Sequence, residues 1–293
     1  MAYEATLLDV ARLRMPVERD RLLLLFVAVN LLFLTVDVAI AHSVNGFVPR
    51  YELAPLLIPP WGIVTSLALA FRRTERPWLY AVHSLLMALS VVTGVLGFAF
   101  HLYAVMGPAR RLAWWWLAFG APVLAPLSYA GVGLVGWVAV MSETPDGRLR
   151  LGPWLQLNLR WSKTQVLMAL VALGFLGATL TSYFDHAQYG YTAPEWIPVF
   201  AGLFAFLYTS AAALRPDLDR ADARGLLVTL LGMVAVGLLG FAFHLSRDLA
   251  DTGQLTLERM RSWAPILAPL LFSDLGLLGL VSALQAVREE ATA

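Results

Sequence analysis

The side chains best suited to chemistry are histidines, and four of the five lie in segments that occur twice. Gly97-Phe98-Ala99-Phe100-His101-Leu102 returns as Gly240-Phe241-Ala242-Phe243-His244-Leu245, an identical hexapeptide 143 residues later. Upstream, His42-Ser43-Val44-Asn45-Gly46-Phe47 matches His186-Ala187-Gln188-Tyr189-Gly190-Tyr191. A polar residue kept in both copies of an apolar duplication points to a site. Two imidazoles facing each other across a helix bundle are the donor set for bis-His ligation of a b-type heme. The expectation is one or two hemes b, with His42 paired to His101 and His186 paired to His244. Arg111 and Arg247, with Arg110, Arg259 and Arg261 nearby in sequence, suit the propionates. The same four histidines converging on one centre would instead suit Cu or Zn.

Composition names the medium in which these residues work. With 59% hydrophobic and 14% charged residues and a mean hydropathy of +0.69, the chain is too apolar for a soluble domain of its length. It reads as an integral membrane protein. A formal charge of +1 argues against a nucleic-acid partner, which needs a basic face. Zero cysteines exclude disulfides, thiolate metal sites and iron–sulfur clusters.

Eight apolar segments, at 21–42, 54–71, 78–106, 113–141, 163–185, 195–214, 225–245 and 263–286, are each long enough to span a bilayer. In lipid they must be helices, because open strands would leave backbone groups unpaired. The expected fold is therefore all-α: eight transmembrane helices as two tandem, parallel four-helix repeats. Residues 1–20 form a cytoplasmic segment, 21–141 the first repeat, 142–160 a cytoplasmic linker, 161–288 the second repeat and 289–293 a tail. Tyr3 to Arg14 suits a short amphipathic surface helix or a disordered tail, and residues 1–20 lack the apolar core of a cleavable signal. With the N-terminus inside, only Arg50, Arg110, Arg111, Arg247, Arg259 and Arg261 of the 21 Lys and Arg fall outside, which places both termini in the cytoplasm. The first and third helices of each half then run outward together and end near the outer face, carrying their histidines to similar depth. In a four-helix bundle such helices are diagonal neighbours.

Other repeated residues are expected to shape these sites. Gly94 and Gly97, matched by Gly237 and Gly240, open a flat surface for a porphyrin or a close helix, with Phe98, Phe100, Phe241 and Phe243 as ring walls. Ala121-Pro122-Val123-Leu124-Ala125-Pro126-Leu127 matches Ala264-Pro265-Ile266-Leu267-Ala268-Pro269-Leu270, and its two prolines bend a helix and free carbonyls one turn earlier. His83 has no counterpart and reads as structural. Asn30, Asp37, Asp185 and Asp274 are polar groups inside apolar segments, each needing a partner, a proton or a polar cavity. Asn30 and Asp37, seven residues apart, are expected to point into the bundle together.

Two parallel four-helix halves, each with a histidine pair, resemble the heme A synthase family in architecture. The chain departs from that family in lacking a Glu-x-x-His arrangement, and its pairs come from the first and third helices of each half. The expected function is electron transfer between quinol and an outer-side partner, within the lipid bilayer of the cytoplasmic membrane. The alternatives are a Cu or Zn or small-solute transporter or assembly factor, and a structural membrane subunit.

Overall fold

The computed structural model describes residues 18–71, 76–107, 111–144, 149–150, 158–188, 190–215, 218–250, 253–254, 256 and 265–290. The N-terminal segment up to residue 17, most of the linker and the C-terminal three residues lie outside them, as do Arg110, Arg259, Arg261 and the surface helix expected at Tyr3 to Arg14.

The chain is an all-α membrane protein. Its main helices are α1 (Arg19–His42), α2 (Pro59–Phe71), α3 (Pro77–Val105), α4 (Leu127–Val140), α5 (Lys163–Ala187), α6 (Trp196–Leu214), α7 (Arg220–Leu249) and α8 (Leu270–Glu290). Among the described residues six helical stretches are long and apolar enough to cross a membrane, while Leu127–Val140 and Leu270–Ala283 are shorter apolar helices. Start signals are local. At α5 Ser162 Oγ accepts from the Gln165 amide while Gln165 Oε1 accepts from the Ser162 amide, and at α7 the Asp219 side chain accepts from the Asp222 amide.

The segment expected as one helix over 113–141 is broken. A short helix, Trp114–Phe119, gives way to turns, and α4 begins only after Pro126; likewise α8 begins only after Pro269. A proline lacks an N–H and clashes with the carbonyl four residues back, so two of them four apart stop the helix instead of bending it. At 1.5 Å per residue α4 is about 21 Å long and the 29-residue α3 about 44 Å.

Each of α1–α4 packs on its neighbours in the cycle α1-α2-α3-α4, which leaves α1 and α3 on a diagonal; α5–α8 pack in the same cycle. The two groups meet where α1 touches α8 and α4 touches α5. Leu23, Val27, Leu31, Met87, Leu167, Val171, Phe175 and Leu230 are fully buried there and in the bundle cores. The glycine surface expected to seat a porphyrin is occupied by helix. A Cβ on Gly94 would stand 2.5 Å from the Ala130 nitrogen and 2.8 Å from the Pro126 oxygen, and one on Gly237 2.6 Å from the Ser273 nitrogen and 2.7 Å from the Pro269 oxygen. Gly97 and Gly240 meet Pro126 and Pro269 in the same way. Lack of a side chain lets the helices approach this closely.

At the opposite end from the histidines, a three-stranded antiparallel sheet, β1 (Ser142–Glu143), β2 (Leu149–Arg150) and β3 (Asn158–Leu159), connects the groups. Glu143 Oε1 accepts from the Lys163 amide at 2.6 Å and Oε2 from Arg19 at 3.2 Å, while Arg19 also donates to Thr164 Oγ1. Lys163, the chain's one lysine, is 2% exposed, and its ammonium donates to Asp20 Oδ1, Met141 O and Ala139 O.

Candidate functional site

His42 is the last residue of α1 and His101 lies one turn from the end of α3. Diagonal packing brings their rings to a centroid separation of 6.2 Å with 45° between planes. His186 on α5 and His244 on α7 stand 6.3 Å apart at 86°. All four are half-buried. The structure therefore pairs them as the spacing predicts, each pair within its own bundle.

The broken helices supply what the prolines release. Pro122 O accepts from His101 Nδ1 at 2.9 Å, and Pro265 O accepts from His244 Nδ1 at 3.0 Å. A carbonyl can only accept, so in both rings the proton sits on Nδ1 and Nε2 keeps its lone pair. His42 Nδ1 lies 3.0 Å from Glu52 Oε2, and His186 Nδ1 lies 3.3 Å from Ser182 Oγ. Among the described residues no hydrogen bond reaches Nε2 of any of the four. Anchoring one ring nitrogen while the other stays open is how proteins orient a ligating imidazole. Because α4 starts at the level of Gly97, His101 projects one turn beyond it, where the neighbouring chain is the turn at 120–126 instead of a helix.

Glu52 escaped the sequence reading, although a signal existed: Glu52-x-x-Pro55 and Glu195-x-x-Pro198 stand at the same 143-residue offset as the histidine motifs. The two carboxylates are used differently. Glu52 reaches His42, and its Oε1 accepts from Asn45 at 2.9 Å. Glu195 Oε2 accepts from the Thr192 amide at 2.5 Å and the Thr192 hydroxyl at 2.9 Å, and acts on His186 and His244 only through space.

The remaining expected residues separate. Arg247 lies one turn past His244, exposed and close enough to act on it electrostatically. Arg111 is exposed in the extended stretch before Trp114, with its amide on Met106 O, and no contact joins its guanidinium to a histidine. Phe100 and Phe243 face outward, Phe100 stacking on Tyr51 at 4.6 Å, so neither closes over its pair. Asn30 does not accompany Asp37. It donates to Asp274 Oδ1 at 2.9 Å across the contact of α1 with α8, whereas Asp37 faces outward from α1. Seven residues on a helix leave a 20° offset per heptad, and a partner on α8 exists only at the level of Asn30. Asp185 lines a shallow, water-sized cleft with Leu117, Pro122, Val123, Thr181 and Phe184, where the turn of the first bundle meets α5 of the second. His83 is fully buried, with Nδ1 on Thr65 Oγ1 and Nε2 on Gly136 O, a structural histidine as expected.

Beside the second pair, Tyr191 stands edge-on to His186 at 6.3 Å and donates to Tyr183 O. Burial first, then Tyr183, Glu195 and Asp185, push its phenol up to about 12, so it stays protonated and keeps donating.

Among the described residues no three His, Asp or Glu side chains gather tightly enough to hold a metal ion, so the four imidazoles do not share one centre. Comparison with known proteins by family model, by sequence and by structure gives no match to this chain.

Proposed function

We propose that this protein is a membrane-embedded b-type cytochrome that passes electrons between quinol and a partner on the outer side of the cytoplasmic membrane. In this reading two tandem, parallel four-helix copies cross the bilayer eight times with both termini inside, and each copy holds one heme b near the outer face. The observation that carries it is the pair of ring separations. With Nδ1 of His101 and His244 engaged by carbonyls, ring centres 6.2 and 6.3 Å apart would suit His42 with His101, and His186 with His244, as the residues holding heme iron between them.

Bound there, heme would supply one-electron redox chemistry. The chain's own part is to present the ligands. Pro122 O and Pro265 O hold His101 and His244 in the Nδ1–H tautomer, Ser182 Oγ meets Nδ1 of His186, and Glu52 Oε2 lies 3.0 Å from Nδ1 of His42. Arg247 is placed to offset propionate charge on the second site.

The test is an absorption spectrum of the purified protein in detergent, oxidised and dithionite-reduced, with heme and metal analysis of the same sample. Sharp α and β bands on reduction and two hemes per chain are expected. A colourless protein, or one carrying Cu or Zn, overturns the reading.

A further inference from the structure

The two histidine pairs share their spacing but not their electrostatic surroundings, and the difference lies at a single nitrogen. In the first pair a carboxylate oxygen stands 3.0 Å from His42 Nδ1; in the second the corresponding nitrogen of His186 meets the neutral hydroxyl of Ser182 at 3.3 Å. The carboxylate is held there by the fold. Glu52 is only 11% exposed, and its other oxygen is fixed by Asn45 Nδ2. Asn45 is itself set by the turn that follows α1: its Oδ1 accepts from the Phe47 amide, its Nδ2 also donates to Val48 O, and Gly46 and Phe47 both adopt left-handed backbone at φ 67° and 59°. A bulky residue takes that conformation only where its surroundings impose it. Phe47 stacks on the His42 ring with 17° between planes. The turn thus delivers both the carboxylate and the imidazole it touches. In the second pair Glu195 spends Oε2 on Thr192, and Glu195 and the buried Asp248 act on His244 through space, opposed by Arg247.

From this asymmetry, and resting on the heme reading above, we infer that Glu52 is a tuning residue that makes the first site the harder of the two to reduce. A carboxylate 3.0 Å from Nδ1, even with its Oε2 out of line for a hydrogen bond, favours positive charge on the imidazole, and with heme bound it would favour ferric over ferrous iron. No atom is transferred; one electron is gained by the iron, and the ligand charge sets how readily. The carboxylates that act on the second pair do so without contact, and at His244 Arg247 opposes them, so their effect on that site is the smaller.

The experiment is a redox titration, followed by visible spectroscopy, of the full chain with heme bound. Glu52→Gln keeps the shape and removes the charge. It is expected to shift the reduction equilibrium of the lower-potential site at least tenfold toward ferrous, about 59 mV for one electron, and to leave the other site in place. Glu195→Gln is expected to move neither site by more than about a third of that. Asn45→Ala, which frees Glu52 without changing its charge, gives a smaller shift in the same direction and serves if Glu52→Gln fails to accumulate. Two midpoints unmoved by Glu52→Gln, or moved equally by Glu195→Gln, overturn the inference while the cytochrome stands. A wild-type protein without heme overturns both.

Discussion

Lys163→Met tests whether the charged cluster at the inner end holds the two bundles in register. The substitution keeps an unbranched stem of similar length and removes three charge-assisted hydrogen bonds, to Asp20 Oδ1 at 2.7 Å, Met141 O at 2.9 Å and Ala139 O at 3.3 Å. Asp20 is half exposed, so water replaces the ammonium and its loss costs about 1 kcal/mol or less. The two carbonyls lose a donor in a buried place, at roughly 1–3 kcal/mol each, with the longer bond at the low end. Against this, a thioether escapes the desolvation cost of a buried ammonium, of order several kcal/mol, part of which the native bonds already offset. The balance is a loss of about 2 kcal/mol. Unfolding in mixed detergent and SDS micelles measures it. In the double variant with Asp20→Asn the further loss should stay below about 0.5 kcal/mol, because the partner is already gone. A single variant as stable as the wild type would show that desolvation wins, and the cluster would then serve the loop alone.

Removing one ligand from either pair should empty that site only: His101→Ala and His244→Ala are each expected to halve the heme content by pyridine hemochrome assay, since each pair sits in its own bundle. The interplanar angles of 45° and 86° predict two low-spin ferric signals by electron paramagnetic resonance, the more anisotropic one lost in His244→Ala. Asn30→Leu and Asp274→Leu should show a coupling of about 0.6–1.7 kcal/mol in a double-variant cycle, the range for hydrogen bonds between membrane helices. Additive losses would mean the bond is not formed in the membrane.

Helices, their order and the histidine partners were legible because period and repetition report them directly. Apolar segments need no partner identity to become helices in lipid, and diagonal packing of the first and third helices then follows from short connections. What the residues did not disclose depends on rotation and on which backbone atoms come free. Asn30 and Asp37 share a helix face in projection, yet Asn30 bonds to a carboxylate of α8 while Asp37 comes within electrostatic reach of the Tyr129 hydroxyl of α4. The glycines of the repeated motif were read as a seat for a flat cofactor or a helix, and the neighbouring prolines fill them because α4 and α8 start there. Glu52 is hidden for a different reason: it lies between apolar segments, and which imidazole it meets is set by the turn after α1, not by any spacing in the chain.

The repeated prolines and the repeated histidines are one device. In a continuous helix an N–H at position 126 would take the Pro122 carbonyl, and His101 would have to share it or find another acceptor. Because Pro126 has no N–H, the Pro122 carbonyl accepts only the turn amide of Ala125 at 3.3 Å and keeps a lone pair one turn above the place where Gly97 lets α3 and α4 touch, which the imidazole one turn further along α3 takes. The same sequence of causes runs through Pro265, Gly240 and His244. The glycine sets the distance between the helices, the proline frees the acceptor, and the acceptor aims the ring, so loss of any one should misplace the imidazole without touching it. This explains why three residue types with no contact chemistry in common recur at one offset, while the side chains around them diverge.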